Sequence, residues 1–372
     1  MAIEIINGRY EVEERLGSGG MGEVWRAFDP LLGRDVAIKF VGERELRESP
    51  GAESMLRDEA RAAGKLLGHP QIVAVLDFIE TTTALHRGPA LVMEYVAGCN
   101  LAEWINVHHP HFDEVTRNVL GLYISIEVIQ AIQAAHRQEI LHRDIKPLNI
   151  LVSMEGRVKV ADFGLARVIE AITRTHTVWG RQTPLYAAPE QWRGERPDMR
   201  TDVYQLCATL YHLLSGRPAN QGDGLMGLYH WHQVETLTPL AELAPSLAVE
   251  VTSVIDRGLH ADQDERPDLW EIFDPISKSI MNALHLEIDV GNCTEGQVES
   301  IAALTDFGLD QLKADPQFGT ILPNPMEAAQ EALAVVLLGG KSVLTPAPSV
   351  PAPRSAEPKA PPPAKKAAPR RR

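Results

Sequence analysis

Cysteine is scarce in this chain. Cys99, Cys207 and Cys293 stand far apart among 372 residues, with no Cys-x-x-Cys pair and no histidine cluster beside them. That spacing excludes a disulfide framework and a structural zinc site, and it fits a reducing compartment. Long apolar runs are also missing. The longest late run, Ala332–Leu338, falls far short of the roughly 20 residues a membrane-spanning helix needs. The opening Met1-Ala2-Ile3-Glu4-Ile5-Ile6 has neither the basic region nor the apolar stretch of a signal peptide. The expectation is a cytoplasmic protein without a membrane span. No internal repeat is visible.

Basic charge is sparse except at one end. The chain carries 36 Lys and Arg against 50 Asp and Glu, a net of −14. Residues 342–372 hold seven Lys or Arg and one Glu, which leaves −20 on residues 1–341. So acidic a body disfavours nonspecific nucleic-acid binding and suits cationic partners or substrates. What is plentiful is ordinary apolar content, 44%, enough to bury a sizeable core in one large or two modest domains.

Three regions differ in composition. Up to about residue 282 apolar periodicity is dense and turns are short. Residues 283–341 read as a small helical extension. Thr294 and Gln297 have capping-box spacing there, and Asn324-Pro325 opens a second helix that ends at Gly339-Gly340. Residues 342–372 hold nine prolines with Ala and Lys/Arg and read as a disordered, extended tail. Within the first region Tyr10–Leu16, Glu23–Phe28 and Asp35–Phe40 are short β-rich runs between turn residues. Later, Val115, Val119, Leu122, Ile126 and Ile129 recur at helical spacing, with Asp113 placed as a cap. A strand-rich lobe followed by a helix-rich lobe predicts a ligand cleft between them.

Gly17-Ser18-Gly19-Gly20-Met21-Gly22-Glu23-Val24 lies between two of these strands. It is either a plain hairpin or a turn whose backbone N–H groups approach phosphate oxygens closely. It lacks the Gly-Lys-Ser/Thr of a P-loop, and it joins strand to strand, unlike a dinucleotide fingerprint. Lys39 closes the apolar run Val36-Ala37-Ile38 fifteen residues beyond Val24. It either snorkels to solvent or reaches bound phosphates. Glu59, on a predicted helix, is a solvated charge or the anion that holds Lys39.

His142-Arg143-Asp144-Ile145-Lys146-Pro147-Leu148-Asn149 is more specific, because it sets a carboxylate, a cation and an amide oxygen at fixed offsets. A carboxylate can orient a hydroxyl and accept its proton, a lysine can offset phosphoryl charge, and an amide oxygen suits magnesium. Asp162-Phe163-Gly164, eighteen residues after Asp144, adds a second hard oxygen ligand.

With these motifs in this order, residues 8–282 resemble the eukaryotic-like protein serine/threonine kinase family of bacterial type. The resemblance implies an α+β, bilobal protein kinase fold. Its β-rich N-lobe would span about 8–96 and its α-helical C-lobe about 97–282. It further implies ATP with magnesium, for which manganese can substitute. Leu16, Gly17, Ser18, Gly19, Gly20, Met21, Gly22, Val24 and Ala37 would enclose the nucleotide. Met93 would be the gatekeeper, with the backbone of Glu94 and Val96 holding adenine. Lys39 would contact phosphates with Glu59 as its partner. Asp144 would be the base, with Lys146 beside it, and Asn149 and Asp162 the metal ligands. Glu190 of Ala187-Ala188-Pro189-Glu190 would pair with Arg266, and buried Asp202 would brace the catalytic loop.

Lys146 and Thr183, the latter in a substrate-docking position, match serine/threonine rather than tyrosine kinases. Thr175 and Thr177, with Thr173 nearby, match activation-loop autophosphorylation sites that Arg143 would receive. Implied partners are Ser/Thr protein substrates, a second copy for trans-autophosphorylation, and a docking partner for residues 283–372, with no nucleic acid. Three positions depart from the family pattern of glycine: Glu139, Gln182 and Cys207. The rival reading is a kinase-fold scaffold or pseudokinase acting by protein binding, whose usual mark is loss of Lys39, Asp144 or Asp162.

Overall fold

A computed structural model describes residues 4–19, 22–41, 52–83, 87–111, 114–163, 184–222, 227 and 237–283. The early β-rich runs form one antiparallel sheet. Its strands are β1 (Glu4–Ile6), β2 (Tyr10–Gly19), β3 (Gly22–Asp29), β4 (Arg34–Val41), β5 (Val75–Thr82) and β6 (Arg87–Glu94), in the order β1-β2-β3-β4-β6-β5. Alternation along β4 and β6 serves both faces. Val36, Ile38 and Phe40 join Ile6, Tyr10 and Val92 on one side. Ala37, Val41, Leu91 and Met93 pack with Leu56 of helix α1 (Ala52–Gly64) on the other. The second face looks toward the cleft.

The helical lobe is built around α2 (Glu114–Arg137). One apolar stripe is expected from the spacing of Val119, Leu122, Ile126 and Ile129, yet Leu120, Tyr123, Ile124 and Val128 are equally buried. A helix encased on nearly every side needs no polar face. Its Arg117–Arg137 stretch is long and apolar enough to cross a membrane by composition, but most of it lies inside the fold. Asp113, the expected cap, lies outside the described residues.

Against α2 pack α4 (Met199–Ser215) and α6 (Leu269–Ala283), and α5 (Val249–Gly258) packs against both of these. The five-residue α3 (Pro189–Arg193) begins on the Pro of the Ala-Pro-Glu motif. A small sheet of β7 (Gly98–Asn100), β8 (Ile150–Ser153) and β9 (Val158–Val160) floors the cleft. Ile72 bridges to Val160 of β9, with Val73 N–H donating to the Val160 carbonyl at 2.9 Å. The loop after α1 is therefore joined to the strand that leads into Asp162. The expected extension and tail, 283–341 and 342–372, lie outside the described residues beyond Ala283.

Candidate active site

The glycine turn is a hairpin tip in which Gly17 pairs with Val24 and Gly19 with Gly22, after a bulge between Arg15 and Gly17. Strand β2 therefore runs past Leu16, because backbone pairing does not require a side chain. Gly22 sits at φ +131°, a conformation that side chains rarely adopt. Beneath the turn, Val24, Ala37, Val73, Met93 and Leu151 give the cleft apolar walls. Its volume is about 610 Å³, within the range of small-molecule sites.

At the inner end of the cleft Lys39, 7% exposed on β4, places Nζ 2.6 Å from Asp162 Oδ2. Burial pushes the Asp162 carboxyl up, but the Lys39 ammonium outweighs it and holds the group below the usual carboxylate range. Asp162 has φ +64°, an unusual backbone state for an aspartate. Phe163 behind it is buried against the His142 ring, centroids 4.6 Å apart. His142 Nε2 lies 2.9 Å from the Ala161 carbonyl, so the catalytic loop and the Asp162 turn touch directly.

Asp144 is held by two neighbours in its own loop. Lys146 Nζ donates to both carboxylate oxygens at 3.0 and 2.7 Å, and Asn149 Nδ2 donates to Oδ2 at 3.1 Å and to the Asp144 carbonyl at 2.7 Å. With its nitrogen engaged, Asn149 has the amide oxygen left for a ligand. Asp202, fully buried on α4, accepts from the N–H groups of His142 (2.8 Å) and Arg143 (2.7 Å), and its Oδ2 is also 2.8 Å from His136 Nε2. The bracing expected of Asp202 is thus present as geometry. Glu139, standing where glycine is usual, has φ +58°, the left-handed state that explains the pattern's glycine. Among the described residues no group of three His, Cys, Asp or Glu side chains gathers as a metal cage. The Asn149 and Asp162 oxygens instead fit a hard cation that keeps waters and substrate phosphates as its other ligands, as magnesium does.

Farther along, Glu190 and Arg266 have fully buried side chains joined by two parallel bonds of 2.8 and 2.9 Å. Thr201 Oγ1 also donates to Glu190, at 2.7 Å.

The family described as protein kinase domain matches residues 10–275, more than two thirds of the chain. The chain belongs to the protein kinase family. Among its relatives, a probable serine/threonine-protein kinase PknB of Corynebacterium glutamicum is 39% identical over 68% of this chain and 39% of its own length. A probable serine/threonine-protein kinase of Streptomyces coelicolor is 35% identical over 78% of this chain and 41% of its own. The crystal structure of the Mycobacterium tuberculosis PknI kinase domain superposes with a TM-score of 0.56 at 26% identity, covering 75% of this chain and 100% of that one. The chain spans about two fifths of the length of the curated relatives it matches.

Within this kinase fold the cleft gathers Leu16, Gly17, Ser18, Gly22, Val24, Ala37, Lys39, Met93, Glu94, Val96, Asp144, Lys146, Asn149 and Asp162. Gly19 is at the hairpin tip. Glu59 lies on α1, but its side chain is outside the described residues, as are Gly20, Met21, Gly164, Thr173, Thr175, Thr177, Gln182 and Thr183. The cleft also includes Cys99 and Leu151, which no motif announced. Apolar side chains on a strand carry no local mark of whether they face a core or a ligand.

Proposed function

We propose that this kinase domain transfers the γ-phosphate of ATP to Ser or Thr hydroxyls of proteins, with magnesium (or manganese) bound at Asn149 and Asp162. The observation that carries this reading is convergence: the glycine turn, Lys39, Asp144, Asn149 and Asp162 come from separate stretches yet line one cleft. All three residues whose loss marks a scaffold, Lys39, Asp144 and Asp162, are present and close to partners of opposite charge.

Lys39 Nζ bonds to Asp162 and Lys146 Nζ to Asp144. On this reading Lys39 would contact the nucleotide phosphates with Glu59 as its partner, and Asp162 with Asn149 would hold the metal. Bound magnesium supplies neutralising charge at the phosphates. Asp144, oriented by Asn149, accepts the proton of the substrate hydroxyl. The hydroxyl oxygen bonds to the γ-phosphorus while the bond to the bridging oxygen of ADP breaks, and Lys146 offsets charge on the moving phosphoryl group. The apolar walls and the backbone of Glu94 and Val96 hold adenine.

The same reading makes Thr175 and Thr177, then Thr173, autophosphorylation sites modified in trans by a second copy, with Thr183 in substrate docking. Residues 283–372 are taken as the docking region for a partner. We place the domain in the cytoplasm, where ATP is available. Labelled γ-phosphate transfer by the purified chain, with and without magnesium, tests the reading against Asp144→Asn. Magnesium-dependent label on Ser or Thr that vanishes in the variant is expected. Nucleotide binding with no transfer to the protein or to a basic peptide would instead favour the scaffold.

A further inference from the structure

The backbone on either side of Asp144 is held by side chains from two distant helices. Gln205 of α4, 3% exposed, accepts from the Ile145 N–H through Oε1 at 3.0 Å and donates Nε2 to the Arg143 carbonyl at 2.8 Å. Those two groups belong to the peptide planes just before and just after the Asp144 Cα, so one primary amide fixes both. Gln191 of α3 donates its own Nε2 to the same Arg143 carbonyl at 3.1 Å, using the oxygen's second lone pair. Its Oε1 accepts from Gln205 Nε2 at 2.8 Å and from the Ala188 N–H at 2.9 Å. The chain is closed: Ile145 to Gln205, Gln205 to Gln191, Gln191 to the Ala-Pro-Glu motif.

A primary amide offers two donors on one nitrogen beside an acceptor oxygen, which suits Gln205, whose Nε2 donates twice while its Oε1 accepts. Arg143 sits at φ +65°, a state that a residue with a side chain seldom holds unless its surroundings fix it. Asp202 secures the N–H side of Arg143, and the two glutamines secure its carbonyl. A simpler account is that the amides merely satisfy buried backbone groups. It covers the Ala188 N–H, the N-cap group of α3, but not the direct bond between the two amides.

We propose that Gln205 and Gln191 are positioning residues acting as one amide relay. The relay sets the angle at which Asp144 meets the substrate hydroxyl, and it ties that angle to the placement of Ala188-Pro189-Glu190. This rests on the kinase reading above. Neither glutamine lines the nucleotide cleft, so nucleotide affinity is not its province. A displacement of the base of about 1 Å costs on the order of 100-fold in rate.

The test uses the full chain and a Ser/Thr peptide, comparing wild type with Gln205→Met, Gln191→Met and the double variant. Gln205→Met is expected to lower kcat at least tenfold with KM for ATP within twofold, and to speed hydrogen exchange at the Ile145 amide. Gln191→Met should lower kcat severalfold, and the double variant should be little worse than Gln205→Met alone, because the two act as a unit. A folded Gln205→Met with kcat within twofold of wild type overturns the proposal, and so do losses that simply multiply in the double variant. Should Gln205→Met fail to fold, Gln191→Met at its half-buried position decides, and unchanged kcat there overturns the relay. If wild type binds ATP but transfers no phosphate, the kinase reading itself has failed. The exchange rate at Ile145, unchanged or raised in the variants, then still rejects or supports the clamp.

Discussion

Arg266 and Glu190, 76 positions apart, meet in a fully buried, two-bond ion pair, with the guanidinium also lying 4.9 Å from the Tyr204 ring centre. Removing one partner strands the other charge in a dry site, which costs about 3–5 kcal/mol. Arg266→Met is therefore expected to lower the urea midpoint strongly, whereas Arg200→Met, on an exposed helix start, should change stability by less than about 1 kcal/mol. Burial pushes the Glu190 carboxyl up and Arg266 outweighs it, so the folded pKa lies below its ordinary 4.5. A depressed acid contributes stability above its unfolded pKa and loses it as pH falls through the folded one. The stability gap between wild type and Glu190→Gln should accordingly be full at neutral pH and shrink below about pH 4.5.

Lys39 Nζ is hydrogen-bonded to Asp162 and is the chief reason that carboxyl stays ionised against burial. Lys39→Met should reduce phosphoryl transfer by about 100- to 1,000-fold, the usual loss for one preorganised charge donor. With the ammonium gone, burial is left to act and the Asp162 pKa rises. Magnesium-nucleotide binding followed by calorimetry should then weaken, as pH is lowered, at a higher pH in Lys39→Met than in wild type. Identical pH profiles would mean that Asp162 is not the metal ligand.

Much of this is legible in the linear chain, for a physical reason. A catalytic loop is short, so His142 through Asn149 reveal their grouping by offset alone, and the Asp162 turn follows at a fixed gap. Strand and helix periodicity likewise announces two lobes. What is not legible is what the long-range fold brings together. Gln191 and Gln205 come from different helices and meet at Arg143, and no spacing rule links them. The full extent of β2 is hidden because Gly17 and Gly19 have poor strand propensity, while hairpin pairing there needs only backbone. The all-round burial of α2 is hidden because a stripe of five apolar residues describes only one of its faces.

Cys99 lines the cleft between the lobes, a placement the sequence does not suggest. Burial, with Glu103 adding to it, pushes its thiol up to about 11, so at neutral pH it is almost wholly protonated. Iodoacetamide should label Cys99 more than tenfold more slowly than free cysteine, with a rate that climbs with pH toward about 11. Magnesium-ATP should slow it further by filling the cleft. Peptide mapping by mass spectrometry reads this site by site. Fast labelling that nucleotide leaves unchanged would contradict both the environment and the proposed occupant.

Cys207 stands on α4 where the family pattern has glycine, and the structure shows what accommodates it. The thiol is fully buried, pushed up to about 12 by that burial, and packed directly against Gly258, the last residue of α5. A Cβ at 258 would collide with Cys207 Sγ and approach its Cβ to 2.8 Å, so the two helices meet closely only because one partner lacks a side chain. At this crossing α5 carries the glycine and α4 the side chain. Gly258→Ala should therefore destabilise the fold by about 1–3 kcal/mol through overpacking. Cys207→Gly alone should also destabilise, by lost packing and by about 1 kcal/mol of helix propensity. The double variant restores one glycine and one side chain at the crossing, and it should recover most of the Gly258→Ala loss in a double-mutant cycle read by thermal unfolding. Additive losses would show that the two residues do not share the contact. In every one of these variants the kinetics of any folded protein should stay near wild type, because neither residue borders the cleft.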